Sequence, residues 1–230
     1  MPLTPMTMSF QGEVYQRQDL SPEEKAALLH AVYDNISANS AVLRELYKGN
    51  EQNILAVASL AKGALGAQFG GLLPGDAEFG VSPIRPQYLL RTTAATEAAA
   101  TTWVFTFTAG NDYWIGFGSD NDEAVNIDKR VCLLILGFAF TQGGSPIVEE
   151  LFPTINGTQY PSIIIRHAWL ADNFNQIRVA RSPACVLAPK ATTLWTANSI
   201  IAGTQELVPL GLAFIKGDIA RVTGAPALQT

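Results

Sequence analysis

Along the 230-residue chain the spacing of apolar residues changes once, and that change constrains the fold more than any other feature. Over residues 21–66 apolar side chains recur at three- and four-residue steps, which is the period of a helix. Over residues 87–223 they fall in short runs, often alternating with polar residues and separated by Gly, Pro and Asn, which is the pattern of strands. A chain that keeps its helical and strand segments apart in this way is expected to be mainly β with N-terminal helices.

The helical part opens on Ser21-Pro22-Glu23-Glu24. Serine at the N-cap, proline at the first helical position and Glu24 three residues after the cap form a start signal, because hydroxyl and carboxylate each accept an otherwise unpaired N–H. Leu28, Leu29, Val32, Tyr33, Ile36, Leu43, Leu46 and Tyr47 carry the helical spacing onward to a stop at Gly49-Asn50. Asn35, Ser37, Asn39 and Ser40 compete for backbone hydrogen bonds and predict a break near residues 37–40. A second helix is predicted from Glu51 to Leu65, with Ile54, Leu55, Val57, Ala58, Leu60 and Ala61 as its apolar surface. Glycines at 63, 66, 70, 71, 75 and 80, with Pro74, Pro83 and Pro86, then predict a linker over 67–86.

Strands are predicted at Thr101–Thr108, Asp112–Phe117, Arg130–Phe140, Pro146–Pro153, Ser162–Leu170, Gln176–Ala180, Ala184–Ala188, Leu194–Ile201 and Leu207–Lys216. Arg130–Phe140 is apolar almost throughout, as in a sheet buried on both faces. Asn156-Gly157 is a favoured hairpin corner. Short strands with such punctuation predict an antiparallel β-sandwich or jelly roll of about eight strands. The expected order is a flexible arm (1–20), one or two α-helices (21–66), a Gly/Pro-rich linker (67–86), the β-sandwich (87–223) and an extended tail (224–230).

Composition narrows the function. Hydrophobic residues make up 48% of the chain and charged residues only 15%, against about a quarter charged in ordinary soluble domains. Lysine is confined to Lys25, Lys48, Lys62, Lys129, Lys190 and Lys216. Because an ammonium is costly to desolvate, lysine scarcity fits a chain with extensive subunit contact. The net charge of −5, with no run of like charges, argues against phosphate neutralisation and so against direct nucleic-acid binding. The start lacks the charged and apolar regions of a signal peptide, and the longest apolar run, Val131–Leu136, extends only through Gly137 to Phe140. Neither export nor a membrane span is expected. Cys132 and Cys185 read as free buried thiols.

Candidate chemistry is sparse. Asp120, Asp122, Asn126 and Asp128 cluster oxygen ligands and partly resemble a calcium loop. The sixth position is Val125 rather than Gly and the twelfth is Val131 rather than Glu, which excludes an EF-hand and leaves a solvated acidic loop or an ion site between subunits. His30 and His167 have no metal-ligand spacing, no G-x-S-x-G occurs, and the glycines of 63–80 form no phosphate-binding motif. No catalytic residue and no cofactor is expected. Trp103, Trp114, Trp169 and Trp195, with Phe105, Phe107, Tyr113 and Phe117, supply either a core or a sugar-binding face.

An arm, an amphipathic helix pair, a Gly/Pro linker and a lysine-poor strand domain together resemble the jelly-roll coat proteins of icosahedral phages and viruses, including the upright-barrel coats of membrane-containing phages and archaeal viruses. The resemblance implies a capsid subunit located in the virion and made in the host cytoplasm. Its partners would be copies of itself and other virion proteins, with an internal membrane nearby. Leu28, Leu29, Val32, Tyr33 and Ile36 would be assembly contacts. The alternative from another class is a carbohydrate-binding sandwich module of a viral spike or tail.

Overall fold

A computed structural model describes residues 7–10, 13–16, 18–89, 102–115, 124–141, 147–165 and 177–217. Ser21 caps helix α1 (Pro22–His30) with the reciprocal pair expected: Glu24 N–H donates to Ser21 Oγ at 3.2 Å and Ser21 N–H to Glu24 Oε2 at 2.7 Å. The helix continues as a π-helical segment, Ala31–Ile36, and breaks at residues 37–39, where Ser37 Oγ bonds the Val32 carbonyl. Ser40 then caps α2 (Ala41–Gly49), and α3 (Glu51–Leu65) ends on Gly66 at φ 60°, a left-handed position suited to glycine. Among the described residues three helices stand where one or two were expected, because the break at 37–40 divides the first completely, and a short fourth, α4 (Pro86–Leu89), follows β4.

Strands β1 (Thr7–Phe10) and β2 (Glu13–Gln16) form an antiparallel hairpin within the stretch expected to be an arm. The stretch 67–86, expected to be a linker, holds β3 (Gln68–Phe69) and β4 (Glu78–Pro83). Its glycines allow close approach rather than flexibility: a side chain at Gly80 would meet the Gly71 carbonyl and lie 2.6 Å from Pro74 Cδ. Phe79 and Val81 are meanwhile buried on one face of β4.

Further along come β5 (Val104–Phe107), β6 (Gly110–Ile115), β7 (Val125–Asn126), β8 (Val131–Thr141), β9 (Val148–Ile155), β10 (Thr158–Gln159), β11 (Ile163–Ile164), β12 (Ile177–Leu187), β13 (Thr192–Ser199) and β14 (Gly203–Lys216). The expected strand at Ser162–Leu170 is represented by β11, its residues from 166 onward lying outside those described. The two strands expected at 176–180 and 184–188 are one, β12, whose register shifts between Arg181 and Cys185. Ser182-Pro183 therefore makes a bulge where a turn was expected, since Pro can sit on an edge strand without breaking the ladder. Asn156 (φ 48°) and Gly157 (φ 75°) make the β9–β10 corner with both residues left-handed, as the Asn-Gly signal predicts.

Besides the β1–β2 hairpin, the described strands form two six-stranded sheets: one ordered β12-β8-β14-β4-β3 with β5 on β14, the other ordered β10-β9-β13-β6 with β11 on β9 and β7 on β13. One core lies between them. Val131, Leu133, Ile135, Phe138 and Phe140 of β8 face Leu151, Ile155, Trp195 and Ala197 of the second sheet. Trp114 packs edge-on against Phe138 at 5.1 Å and Trp195 at 5.4 Å. The other core lies between the first sheet and the helices, where Cys132, Leu134, Leu136, Leu212, Phe214, Phe79 and Val81 meet Leu28, Val32, Leu46, Tyr47, Ile54, Ala58 and Leu65. The layers therefore run helices, sheet, sheet, and β8 is buried on both faces, as its sequence predicts.

Parity along β8 reverses after Leu136: Val131, Leu133 and Ile135 face the second sheet before it, and Phe138 and Phe140 after it. The β8–β14 register shifts there, between Leu210 and Gly211. At this bulge a side chain on Gly211 would collide with the Leu134 carbonyl oxygen. Tyr47 of α2 donates its buried hydroxyl to the Gly211 carbonyl at 3.2 Å, pairing an acceptor in the disturbed region of the ladder. Glu24 ties α1 to α3 and β3 by accepting from Lys62 Nζ at 2.7 Å and the Phe69 N–H at 3.1 Å. Lys216 Nζ donates to the Leu65 carbonyl at the end of α3, 2.9 Å away.

Candidate functional site

The first sheet is covered on both faces; among the described residues the second is covered on one. Along β13 the burial alternates without exception, Thr193, Trp195, Ala197 and Ser199 buried and Thr192, Leu194, Thr196 and Asn198 half-buried. The pleat therefore sends a Thr/Asn-rich row outward. In β9 the half-buried Phe152 stands directly opposite Thr196, and Asn111 of β6 stands opposite Asn198. Gln159 of β10 pairs with Thr154 of β9. Asn111, Asp112, Phe152, Gln159 and Thr196 line a depression of about 410 Å³ on this sheet. Asp112 is held in place, its Oδ2 accepting from the Thr108 N–H at 2.6 Å and the Thr108 hydroxyl at 3.0 Å. Among the described residues that line it, Asn111 and Gln159 bring amides, Thr196 a hydroxyl and Phe152 a phenyl ring, while Asp112 stands opposite the inward-facing Ala197.

A smaller groove, about 150 Å³, runs between the sheet edges and is lined mainly by Pro153, Ile155, Tyr160, Pro161, Ile163, Pro183 and Cys185. Burial pushes the thiols of both Cys185 and the fully enclosed Cys132 up to about 12. Both are free, as their apolar neighbours predict.

Of the expected ion loop, Asp120 and Asp122 lie outside the described residues. Asn126 is exposed on β7. Asp128 is buried and committed to a turn: Oδ1 accepts the Arg130 N–H at 2.7 Å and Nε at 3.1 Å, and Oδ2 accepts Nη2 at 3.4 Å. Among the described residues no group of three or more His, Cys, Asp or Glu side chains is placed to hold a metal, and no helix is long and apolar enough to cross a membrane. His30 lies exposed on α1, 2.7 Å from Asp34; His167 lies outside the described residues.

The residues expected to be assembly contacts divide. Leu28 and Val32 are fully buried in the chain's own helix–sheet core, which corrects their reading as a surface, whereas Leu29, Tyr33 and Ile36 are half-buried, the last two packed against that core. Tyr33 donates to Glu51 Oε2 at 2.8 Å, and burial together with that carboxylate pushes its phenol up to about 12. Trp103, Trp114 and Trp195 are buried between the sheets, so they form core and not a sugar platform; Trp169 and Phe117 lie outside the described residues. The depression itself drew no expectation from the sequence, because its residues come from four strands and meet only through the ladders.

The chain matches no family model, no curated protein and no solved structure.

Proposed function

We propose that this chain is a coat-type structural subunit of a virion, that its two sheets form an eight-stranded jelly roll, and that it assembles with copies of itself. The observation that carries the reading is the strand pairing. A jelly roll is one long antiparallel ribbon rolled up, so its first strand pairs with its eighth, its second with its seventh, its third with its sixth and its fourth with its fifth. With β4, β6, β8, β9, β10, β12, β13 and β14 as the eight in chain order, the ladders β4–β14, β6–β13, β8–β12 and β9–β10 are those four pairs. The ladders β14–β8 and β13–β9 are the contacts that rolling adds.

Jelly rolls serve viral shells, lectins and cupins alike, and fold alone does not choose among them. Composition favours the shell. Only 15% of residues are charged, and of the six lysines Lys62 and Lys216 are turned to internal hydrogen bonds. Apolar side chains stand out on several flanks, with Val42 54%, Leu73 66%, Val104 51% and Ile201 45% exposed. These, with Leu29, Tyr33 and Ile36, are the residues the proposal assigns to contacts with neighbouring subunits. The acidic chain would leave genome packaging to another virion protein or an internal membrane. Other virion proteins would complete the particle after synthesis in the host cytoplasm.

Mass photometry and negative-stain imaging of the purified chain, across salt and protein concentration, test the proposal. Closed shells, sheets or defined rings are expected. A monomer under every condition overturns it.

A further inference from the structure

We propose that the turn between β13 and β14, with the β5–β6 turn beside it, inserts into the interface of a lipid bilayer. A single copy presents this tip, so the inference does not rest on assembly. It refines the coat reading at Ile201, counted there among contacts between copies and assigned here to lipid.

The ladders place the tip. Ser199 pairs with Gly110 and Gly203 with Phe107, so the two turns lie side by side at one end of the sandwich. There Ile200 is 41% and Ile201 45% exposed, with Ala109 and Ala202 exposed beside them. Turns ordinarily carry Gly, Pro, Asn, Asp or Ser; an isoleucine pair instead presents apolar surface that water does not favour.

Charge along the molecule selects the medium. The sequence has no charged residue over 98–111 or 191–205, the stretches that contain both turns, nor over 131–148, which joins β8 to β9. At the opposite end of the same sheets stand Asp76, Glu78, Lys129, Arg130 and Lys190, all exposed. One end is thus suited to water, while the two described turns of the other hold no charge whose desolvation would oppose burial. Behind the tip the first carboxylates stand on the strands: Glu149 in the bulge beside Asn198 and Ser199, Glu150 opposite Asn198, and Asp112 opposite Ala197. At about 3.3 Å per residue they leave a charge-free tip about 5–10 Å deep, the depth to which interfacial elements enter the boundary between headgroups and acyl chains. A second copy is the poorer occupant. Two isoleucines and two alanines fall far short of the roughly 800 Å² that each partner gives to a stable protein interface, whereas a fluid bilayer covers a convex tip from every side.

Cosedimentation with sucrose-loaded vesicles of pure phosphatidylcholine tests the proposal on the full chain, diluted until mass photometry finds no closed shell. Weak binding, unchanged between about 0.1 and 1 M salt, is expected. Replacing both isoleucines, Ile200→Ser with Ile201→Ser, should weaken it by about tenfold or more. Leu73→Ser, at a position 66% exposed elsewhere, should stay within about twofold. Ile201→Trp should bind at least as tightly as the native chain, its added indole emission shifting to the blue on vesicles. No binding by either the native chain or the tryptophan variant, binding that salt abolishes, or an equal loss in Leu73→Ser overturns the proposal. So does a double-serine variant that loses assembly yet keeps vesicle binding, which would make the tip a contact between copies. Assembly of the native chain is measured without vesicles, so failure here leaves the coat reading standing.

Discussion

Val32→Ala separates two uses to which the first helical segment can put its apolar face. Val32 is 0% exposed and shares a core with Leu28, Leu46, Phe79 and Val81. Truncation removes two methyl groups, at about 0.8 kcal/mol each, or about 1.6 kcal/mol of transfer free energy. An unrelaxed void of about 40 Å³, at about 24 cal/mol per Å³, adds about 1 kcal/mol. The expected loss is therefore about 2.6 kcal/mol. In urea unfolding followed by the fluorescence of the buried tryptophans, a slope of about 2.5 kcal/mol/M converts that loss to a midpoint about 1 M lower. Because the contact is internal, the shift should be the same at protein concentrations tenfold apart. Val42→Ala is the control: at 54% exposed it should cost less than about 0.5 kcal/mol. An unchanged midpoint for Val32→Ala, or a shift that grows with protein concentration, would refute the reasoning. The first result would show that Val32 is not packed in the core, and the second would place it at a contact between molecules.

Three further expectations follow from the same packing. Tyr47→Phe leaves the Gly211 carbonyl without its 3.2 Å donor and should cost about 1–3 kcal/mol in the same urea assay; a loss under about 0.5 kcal/mol would show that the bulge does not need it. Burial works to raise the Glu24 pKa, but hydrogen bonds from Lys62, Ser21 N–H and Phe69 N–H, with the Lys62 charge, outweigh it and hold the carboxyl below its ordinary 4.5. Its contribution is therefore full above that ordinary value and lost as pH falls through the depressed one, so Glu24→Gln should lower stability at neutral pH and flatten the acid side of a stability–pH profile; a wild-type acid limb in that variant contradicts the assignment. With both thiols pushed up to about 12, a thiol reagent at neutral pH should label Cys132 and Cys185 only after denaturation; prompt labelling of native Cys185 would show that its groove opens.

Local signals were legible because the groups that make them are neighbours in the chain. The Ser21–Glu24 capping box, the break at 37–40, the Gly66 stop and the Asn156-Gly157 corner each involve residues within about one turn, so their hydrogen bonds are implied by the residue order itself. The continuous apolar run of β8 likewise announced burial on both faces, since neither side of that strand carries a group water could favour. What misled was punctuation: Gly80 and Pro74 read as linker although Gly80 lets β4 pass beside the 71–74 segment, and Ser182-Pro183 read as a turn although it is a bulge.

The sequence by itself thus determined the helices of 21–66, the main strands from β5 onward and the division into helical and strand segments, which follow from periodicity and local bonding. Only the tertiary structure decided which face of each element was spent. It turned Leu28 and Val32 inward against β4 and β14, gave Asp128 to Arg130, and buried three tryptophans between the sheets. It also gathered Asn111, Phe152, Gln159 and Thr196 from four strands onto one face of the second sheet. The physical reason is that strand pairing brings together residues dozens of positions apart, and no local pattern records which strand will become a neighbour.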